Sequence, residues 1–372
     1  MNDNCTHRLR ILFISRAFPP VIGGIEKQNF EIYRNISELA DVTLVANRHG
    51  KLFLPLFLPY AIILSLWQAH RYDAILLGDG VLAIVAWVLR LVHPWPLVFC
   101  ILHGLDLTYS VSFYQCCWVR RFMPAVDVLL PVSRRTAIEV SNRGLRADRC
   151  HIIPNGVNPD ECSEDYNHKR LDHLLGSQVG NRHIILTVGR LIERKGVLWF
   201  VENVLPELDQ DIIYVVAGDG PMRKRIEKSI VQRGLDSRVF LLGQVDDCDL
   251  HMLYAAAEIY VQPNIPIEGD MEGFGLVVLE AGASGLPVIA SRLEGLADAI
   301  SEGDNGQLLT PGRADEYVAQ IHALVHDEET RHAKGQRAMA YVRQHFQWKS
   351  IACRYVETFG IYLDNVFVEM QM

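Results

Sequence analysis

Short apolar runs alternate along the chain with longer amphipathic segments, a pattern typical of parallel α/β sheets. In the first 160 residues the short runs predict strands at 9–15, 41–46, 73–77, 97–102, 126–131 and 151–154. The longer segments predict helices at 24–39, 54–68, 81–92, 113–122 and 136–142. Ser133 is the expected N-cap of the last of these helices. Because each helix leads to the next strand, we expect a mostly parallel, doubly wound sheet.

The same alternation restarts after residues 155–181, a polar stretch that we interpret as the link between two domains. It predicts strands at 184–188, 212–217, 239–242, 259–262 and 288–291. Helices are predicted around 197–205, 222–232, 250–256, 275–284, 314–326, 331–345 and 350–368. We therefore predict two Rossmann-like domains, residues 1–160 and 161–347, facing across a cleft. Ligands of such sheets bind beyond the carboxyl ends of the strands.

Length and composition agree with two folded domains: the chain has 372 residues, of which 49% are hydrophobic and 22% are charged. These fractions exclude wholesale disorder. The longest apolar run, 52–67, is interrupted by two prolines and a serine, so we do not expect an integral membrane protein. The amino terminus has no signal-peptide core, and the eight cysteines form no CxxC pair. Both observations favour a cytoplasmic protein with reduced, buried thiols.

Charge is distributed unevenly between the two predicted domains. Residues 1–160 contain 16 Lys and Arg against 12 Asp and Glu, whereas residues 161–372 contain 20 against 32. The basic half also carries the apolar run 52–67, so it could rest on anionic lipid. A solvated basic face and a buried apolar helix explain the same pattern, and the sequence leaves both alternatives open. The net charge of −8 argues against nucleic acid as the main partner.

The strongest chemical signal is the nine-residue string from Glu272 to Glu280, EGFGLVVLE. Two glycines stand where an apolar helix begins, and the N–H groups and partial positive charge at such a helix start suit a diphosphate. Glu272 would then project from the preceding loop toward a sugar, and Glu280 would accept hydrogen bonds from ribose hydroxyls. On spacing alone, two surface glutamates would explain the pattern better, but the full nine-residue string favours the diphosphate site.

A cationic loop follows the predicted strand at 184–188 and contains Arg190 and Lys195. Arginine and lysine side chains bind phosphate oxygens. When a nucleotide-sugar bond breaks, negative charge builds on the leaving diphosphate, and fixed cations stabilise that charge. Two solvated cations in an ordinary loop are the alternative.

Weaker signals also lie at the ends of predicted strands. The glycine pair Gly23-Gly24 precedes the first helix, and 217–221 (AGDGP) forms a tight turn that is neither a complete GxGxxG motif nor a Walker loop. His103 follows the strand at 97–102, where it could stabilise charge near a transferring sugar. The DxD in 246–249 is better explained as acids at a helix start than as a metal site. The sequence contains no other metal-binding pattern that we identified.

Together these strings resemble the retaining, GT-B-fold glycosyltransferases of family four, also called group 1, over nearly the whole chain. The resemblance rests on motifs in the same order: Gly23-Gly24, His103-Gly104, Pro154–Val157, Gly189–Gly196, Ala217–Pro221, Leu242–Val245 and Glu272–Glu280. The last motif and the Arg/Lys loop are specific, whereas the first two are weak on their own.

The resemblance implies that Arg190 and Lys195 bind the donor diphosphate, and that Glu272 and His103 contact the transferred sugar. The donor-binding residues that it implies are Gly23, Gly24, Gly189, Val245, Phe274, Gly275, Leu276 and Glu280. Among them, Gly275 and Leu276 would offer backbone N–H groups, Glu280 would hold the ribose, and the backbone near Val245 would contact the base. The last helix, about 348–370, would pack back on the N-terminal domain.

One segment departs from the family pattern. After the strand at 288–291 the family usually has Gly-Gly and then Glu, whereas this chain has Glu294-Gly295 and then Asp298. No contact is therefore transferred to that loop. Residues 265–271 also lengthen the approach to Glu272, which could influence the choice of sugar.

The expected function is a cytoplasmic, retaining hexosyltransferase with a UDP- or GDP-sugar donor and neither metal nor cofactor. Its acceptor would be a lipid-linked or envelope glycan, reached at the inner face of the membrane. A nucleotide-sugar epimerase or hydrolase on the same scaffold, or a non-catalytic nucleotide-sugar-binding protein, remains an alternative. The sequence does not identify the base, the sugar, the linkage or the oligomeric state.

Overall fold

The computed structural model describes residues 8–21, 23–159, 168–268, 270 and 272–371. The chain divides into two compact units, each with its own sheet. Unit 1 comprises residues 1–156 and 348–372, and unit 2 comprises residues 157–347. All strand pairs are parallel, which confirms the predicted α/β class. The predicted boundary between residues 160 and 161 lies outside the described residues.

Unit 1 contains a five-stranded sheet in the order β2-β1-β3-β4-β5. Its strands are β1 (Arg10–Ser15), β2 (Asp41–Ala46), β3 (Ala74–Leu77), β4 (Leu97–Leu102) and β5 (Val128–Pro131). Every residue of β3, β4 and β5 is buried, as expected for parallel strands that are covered on both faces. The order changes direction at β1, because β2 and β3 lie on its two sides.

The helices of unit 1 are α1 (Gly24–Leu39), α2 (Leu54–Gln68), α3 (Ala83–Arg90), α4 (Leu105–Thr108), α5 (Ser112–Tyr114) and α6 (Arg134–Asn142). A π-helical segment, Gln115–Phe122, continues α5. Ser133 caps α6 by accepting the Thr136 N–H at 3.1 Å, as predicted. One sheet face packs under α2, α3 and the π-helical segment, with Phe57, Val85 and Val119 in its core. Contacts with α1 and with the C-terminal helix, described below, complete the unit.

Unit 2 contains a six-stranded sheet in the order β11-β10-β9-β6-β7-β8. Its strands are β6 (His183–Val188), β7 (Ile212–Ala217), β8 (Val239–Gly243), β9 (Ile259–Gln262), β10 (Val288–Ser291) and β11 (Gln307–Leu309). The chain proceeds from β6 through β7 to β8 on one side, and from β9 to β11 on the other. The order therefore reverses between β6 and β9, and a crevice at their carboxyl ends is where open α/β sheets bind ligands.

The remaining helices are α7 (His168–Leu175), α8 (Val197–Asn203), α9 (Arg223–Arg233), α10 (Asp247–Ala256), α11 (Leu276–Ala283), α12 (Leu296–Ala299), α13 (Ala314–His326), α14 (Glu328–His345) and α15 (Trp348–Gln371). The last of these belongs to unit 1, where it packs against α1, and Phe359 contacts the Phe99 ring of β4.

Local structure differs from the predictions in three places, and one predicted helix has an unexpected type. Residues 151–154 form no strand, although the His151 and Ile153 N–H groups donate to carbonyls of β5. The stretch interpreted as a link contains α7, whose apolar residues Leu171 and Leu175 are buried. The short elements α4, α12 and β11 were not predicted, because three or four residues carry no periodicity. The helix predicted at 113–122 is confirmed: it runs through α5 and the segment Gln115–Phe122, so most of it is π-helical.

The cysteines are free thiols wherever the structure describes them, but only one of those is buried. Cys100 lies in β4, whereas Cys116 and Cys353 are exposed and Cys117, Cys150 and Cys248 are half-buried. The expectation of buried thiols is therefore wrong for most of the described cysteines. Cys5 and Cys162 lie outside the described residues.

Candidate active site

Two cations meet one carboxylate at the carboxyl end of β6. The Lys195 Nζ atom lies 2.6 Å from a Glu272 carboxylate oxygen, and the Arg194 guanidinium pairs with the same oxygen. Arg194 also pairs with Asp270, with 3.0 Å between Nε and Oδ1. The Arg194, Lys195 and Glu272 side chains are only 8–13% exposed. The cluster is therefore a desolvated charge network rather than a set of solvated surface ions.

Backbone geometry brings the loops after β6 and β9 together. A one-turn 3₁₀ helix, Glu193–Lys195, ends at Gly196, whose φ of +69° lies in the left-handed region. A Cβ atom on Gly196 would lie 1.8 Å from the Pro263 carbonyl oxygen, so only glycine fits there. The Ile265 N–H donates to the Arg194 carbonyl at 2.9 Å. These contacts fix Arg194 and Lys195 beside the segment that leads to Glu272.

The loop after β7 packs against the same turn. A Cβ atom on Gly218 would lie 2.0 Å from the Gly189 carbonyl oxygen, and one on Gly220 would lie 2.5 Å from the Leu191 carbonyl oxygen. The segment 217–221 thus supports the cationic loop through close backbone contact. Gly189 itself has a φ of +148°, with the Lys195 side chain passing near it.

Glu272 is held in its ionised form. The Asn264 side-chain amide donates to the Glu272 carboxylate at 3.1 Å, and the Glu272 backbone N–H donates to the Glu294 carboxylate. Burial alone would raise the pKa of Glu272, but the neighbouring Lys195 and Arg194 charges outweigh burial and lower that pKa to about 2. Glu272 is therefore a carboxylate at neutral pH.

The start of α11 carries the remaining residues of the 272–280 motif. Gly275 precedes the helix with a φ of +75°, and Leu276 is its first residue. Among the described residues no side chain caps this end, and the first N–H groups of a helix lack partners within it. Phe274 is buried and its ring packs 6.1 Å from that of Phe346, so its side chain belongs to the core. The half-buried Glu280 accepts a hydrogen bond from the Tyr254 hydroxyl at 3.2 Å.

Arg190 is not brought to this network. Its side chain is exposed, and within the described part of the chain we find no ion-pair partner for it. Arg194 occupies the position beside Glu272 instead, and sequence analysis missed it. The available signal was a second arginine immediately before Lys195. Diphosphate binding by Arg190 stays a prediction.

Val245 is half-buried in the loop before α10. The acidic segment 246–249, which was considered as a metal site, follows it and makes structural contacts. Asp246 caps α10 by accepting the Asp249 N–H at 2.7 Å. Asp249 forms an ion pair with Arg170 at 2.6 Å. These contacts agree with the interpretation of the acids as a helix start.

In unit 1, His103 lies at the carboxyl end of β4. Its Nε2 atom is 3.0 Å from the Gly78 carbonyl oxygen, and because a carbonyl only accepts, Nε2 carries the proton. The neighbouring Arg16 and Asp79, which follow β1 and β3, form an ion pair of 2.8 Å. Burial raises the pKa of Asp79, and Arg16 offsets only part of this effect. Sequence analysis missed this pair, although Arg16 directly follows β1 and Asp79 stands two residues after β3.

The glycine pair Gly23-Gly24 lies at the start of α1, of which Gly24 is the first residue. Gly23 precedes α1 in an extended conformation, and a Cβ atom there would lie 2.2 Å from the Glu26 carboxylate. A Cβ atom on Gly24 would have no neighbour within 4 Å among the described residues. The structure therefore gives no steric reason for glycine at position 24, and donor contact at this pair stays a prediction.

A histidine pair was overlooked at the opposite end of the unit 2 sheet. His322 and His326 lie one turn apart on α13, and both face Asp209, with 3.8 and 3.2 Å between nitrogen and carboxylate oxygen. The three residues are close enough to hold a metal ion. They also satisfy one another as ion pairs when the histidines are protonated.

Two family models match consecutive parts of the chain. Residues 22–161 match the model described as "Glycosyltransferase Family 4", and residues 177–340 match "Glycosyl transferases group 1". An uncharacterized glycosyltransferase of Methanocaldococcus jannaschii is 30% identical over 224 residues, which are 58% of this chain and 55% of that protein. The chain thus spans about half the length of that relative.

One further relative is named for its activity, and one solved structure is similar in fold. A GDP-mannose-dependent alpha-(1-6)-phosphatidylinositol monomannoside mannosyltransferase of Mycolicibacterium smegmatis is 25% identical over 262 residues, 68% of each chain. The crystal structure of HepE from Anabaena in complex with UDP-glucose superposes with a TM-score of 0.74 at 23% identity. That superposition covers 95% of this chain and 99% of HepE, which establishes a common fold.

Proposed function

Because the chain belongs to the group 1 glycosyltransferases of the GT-B fold, we propose that it moves a hexose from a nucleotide-diphosphate sugar to an acceptor hydroxyl, with retention of configuration. The observation that carries the proposal is the 2.6 Å contact between Lys195 and Glu272 at the crevice beside β6. Cations at such a crevice suit a diphosphate, and an ionised carboxylate next to them suits sugar hydroxyls.

The charge network supplies differential stabilisation of the leaving group. As the anomeric C–O bond breaks, negative charge grows on the diphosphate, and Lys195 turns from Glu272 toward it. Arg194 stays on Glu272 and keeps that carboxylate ionised and in place. Arg190 adds a second, exposed cation, and the N–H groups at the start of α11 add donors. Stabilisation that grows with bond breaking accelerates the reaction, whereas equal binding of substrate and transition state does not.

The low pKa of Glu272 argues against a proton-transfer role for this residue. A general base works best when its pKa lies near the working pH, and a pKa of about 2 is far below it. We therefore assign the acceptor's proton to a leaving phosphate oxygen. The acceptor oxygen attacks from the face that the diphosphate leaves, so one C–O bond replaces another with the same configuration. Glu272 would orient the sugar by hydrogen bonds, and sugar contact by His103 stays a prediction.

The proposed reaction uses neither a metal ion nor a cofactor. Lys195 and Arg190 would neutralise the diphosphate charge that a divalent cation neutralises elsewhere. The side chains of Asp246 and Asp249, in the DxD segment, already cap α10 and bind Arg170. This use of the acids supports a metal-independent mechanism.

The donor and acceptor classes are proposed from relatives. HepE was crystallised with UDP-glucose, and the M. smegmatis relative is named for GDP-mannose and a phosphatidylinositol mannoside. We therefore propose a UDP- or GDP-hexose donor and a lipid-linked or envelope glycan acceptor. We also propose that the enzyme works in the cytoplasm, at the inner face of the membrane, where such an acceptor would be reached.

A thermal-shift panel tests donor binding. The protein is melted with UDP, GDP, ADP and their hexose derivatives, in the presence of a chelator. A bound ligand raises the melting temperature by mass action. We expect the nucleotides of one base to raise the melting temperature in the presence of chelator. A rise that appears only when a divalent cation is restored would contradict metal independence.

Turnover of the selected donor then separates the alternatives. Proton NMR follows the anomeric signal with and without short glycan or glycolipid acceptors. Acceptor-dependent product with the donor's anomeric configuration supports the proposal. A changed or released sugar without acceptor identifies an epimerase or hydrolase, and tight binding without any product identifies a binding protein.

A further inference from the structure

Five large apolar side chains form an exposed line along α2 and the 3₁₀ turn Lys51–Phe53 that precedes it. Leu52, Leu56, Tyr60, Ile63 and Trp67 recur every three or four residues, so they lie on one helical face. They are 92%, 71%, 55%, 67% and 70% exposed. We name this surface the α2 stripe. Scattered exposed apolar residues need no explanation, but a contiguous line of five indicates a partner.

The opposite face of α2 is part of the core of unit 1. Phe57, Ala61 and Ser65 are buried, and the first two pack in the cluster beneath the sheet. With its flanking 3₁₀ turns the helical stretch runs from Lys51 to Arg71, which is long and apolar enough to cross a membrane. If the helix crossed a membrane, its buried face would leave the core of unit 1 and expose that core. The stripe can therefore lie on a lipid surface without the helix entering it end-on.

The flanks of the stripe are basic. Lys51 stands at one end, and His70 and Arg71 stand at the other, all three exposed. The Arg71 guanidinium lies 5.8 Å from the centre of the Trp67 ring. The sequence has no acidic residue between Asp41 and Asp73. Apolar and aromatic side chains between cations suit the boundary between acyl chains and anionic headgroups.

Neighbouring elements on the same side of the sheet present similar residues. α2 contacts α3, and α3 contacts the π-helical segment. Leu91 and Val92, which follow α3, are exposed, as is Phe113 just before the π-helical segment. Near its end that segment carries the exposed Arg120 and Arg121. The elements next to α2 thus expose apolar and basic side chains together, as the α2 stripe and its flanks do.

From these observations we infer that the α2 stripe binds unit 1 to the surface of an anionic lipid bilayer. A second copy of the chain fits the stripe less well. A symmetric dimer would place the same surface against itself, so the basic flanks would face basic flanks. The inference does not depend on the proposed function, because lipid binding requires no donor and no turnover.

Vesicle sedimentation tests the inference with the full-length chain. We expect the protein to sediment with vesicles of phosphatidylcholine and phosphatidylglycerol at low salt. Binding should weaken with phosphatidylcholine alone and with added salt, because screening removes the attraction of the cations. Brominated acyl chains should quench the fluorescence of Trp67, and Trp67→Phe should remove that quenching. A protein that stays in the supernatant with anionic vesicles overturns the inference.

Matched variants assign the binding to the stripe. Leu56→Glu with Ile63→Glu should weaken partitioning on the order of tenfold or more, because two apolar groups are replaced by charges. Val231→Glu with Ile361→Glu is the control, since these apolar residues are 66% and 57% exposed outside the stripe. Lys51→Glu with Arg71→Glu should reduce binding to anionic vesicles and leave binding to phosphatidylcholine vesicles unchanged.

The same variants give the opposing outcomes. Unchanged vesicle binding by the stripe variant overturns the inference. If light scattering instead finds a wild-type dimer that the stripe variant loses, and no vesicle binding, then the stripe contacts a second copy. Thermal melts check that each variant is folded.

Discussion

The Lys195 ammonium group lies 2.6 Å from the Glu272 carboxylate, although the two residues are 77 positions apart. Lys195 follows β6 and Glu272 precedes α11, so the contact joins the two loops at the point where the strand order of unit 2 reverses. The two side chains are largely buried from solvent, which strengthens their electrostatic attraction. Arg194 shares the carboxylate, so Lys195 can leave it without stranding a buried anion.

Lys195→Ala should reduce kcat/KM for glycosyl transfer by about 10²- to 10³-fold, the usual cost of removing a group that stabilises transition-state charge. The fold should survive, because Arg194 still neutralises Glu272. Lys224→Ala, an exposed lysine of the same unit, is the control. Steady-state kinetics at several donor concentrations provides the measurement. Turnover within a few-fold of wild type would contradict the role assigned to Lys195.

Arg190 and Arg194 should respond differently to replacement by alanine. Arg194→Ala breaks a buried network and leaves Glu272 and Asp270 with fewer partners, which costs about 3–5 kcal/mol. Arg190→Ala removes an exposed side chain, so stability should change by less than about 0.5 kcal/mol. The Arg190 variant should instead raise KM for the donor.

Thermal melts and donor titrations of both variants separate these roles. Equal losses of melting temperature would contradict the distinction between a positioning arginine and a donor-binding one. An Arg190 variant with unchanged KM and kcat would remove Arg190 from the proposed site.

Much of the fold could be predicted because its strands are short, apolar and buried. Strands such as β4 and β7 are buried along their whole length, and runs of this kind are recognisable without tertiary information. Residues 151–154 were mistaken for another strand because they are also apolar. They extend beside β5 through two backbone hydrogen bonds but do not form a ladder. Only the packed structure separates these cases.

The site could be predicted less completely because residue type does not specify direction. Both Arg190 and Arg194 follow β6, and the 3₁₀ turn that ends at Gly196 decides which of them faces Glu272. Glu294 was assigned no contact because it replaces a glycine of the family pattern. Its φ of +44° explains why glycine suits the position, yet its carboxylate accepts the Glu272 N–H. Neither feature is visible in a linear sequence.

The stability contributed by Glu272 should depend on pH. Its folded-state pKa, about 2, lies below the ordinary value of 4.5, so its contribution is complete above pH 4.5 and is lost as the pH falls toward 2. The shift corresponds to roughly 3 kcal/mol. We therefore expect Glu272→Gln to lower the melting temperature strongly at neutral pH, and the gap from wild type to narrow between pH 4.5 and 2.

Melting curves across this range, with the exposed Glu329→Gln as control, test the linkage. The control removes a carboxylate without touching the network. A gap that stays constant down to pH 2 would mean that Glu272 is not held by Lys195 and Arg194 in solution.

Gly196→Ala and Gly234→Ala form a matched pair that isolates the close backbone approach at the site. Both glycines have a left-handed φ, +69° and +65°, so alanine costs about 1 kcal/mol at either position. A Cβ atom on Gly234 has no neighbour within 4 Å among the described residues, whereas one on Gly196 would lie 1.8 Å from the Pro263 carbonyl oxygen. Gly196→Ala must therefore move the turn that carries Arg194 and Lys195.

We expect Gly234→Ala to lose about 1 kcal/mol of stability with unchanged turnover. Gly196→Ala should lose more stability and about 10²-fold in turnover, because a shift of about 1 Å in a positioning residue has that cost. Parallel melts and kinetics provide the comparison. If the two variants behave alike, the backbone contact between Gly196 and Pro263 does not position the cations, and the Lys195–Glu272 geometry must depend on other contacts.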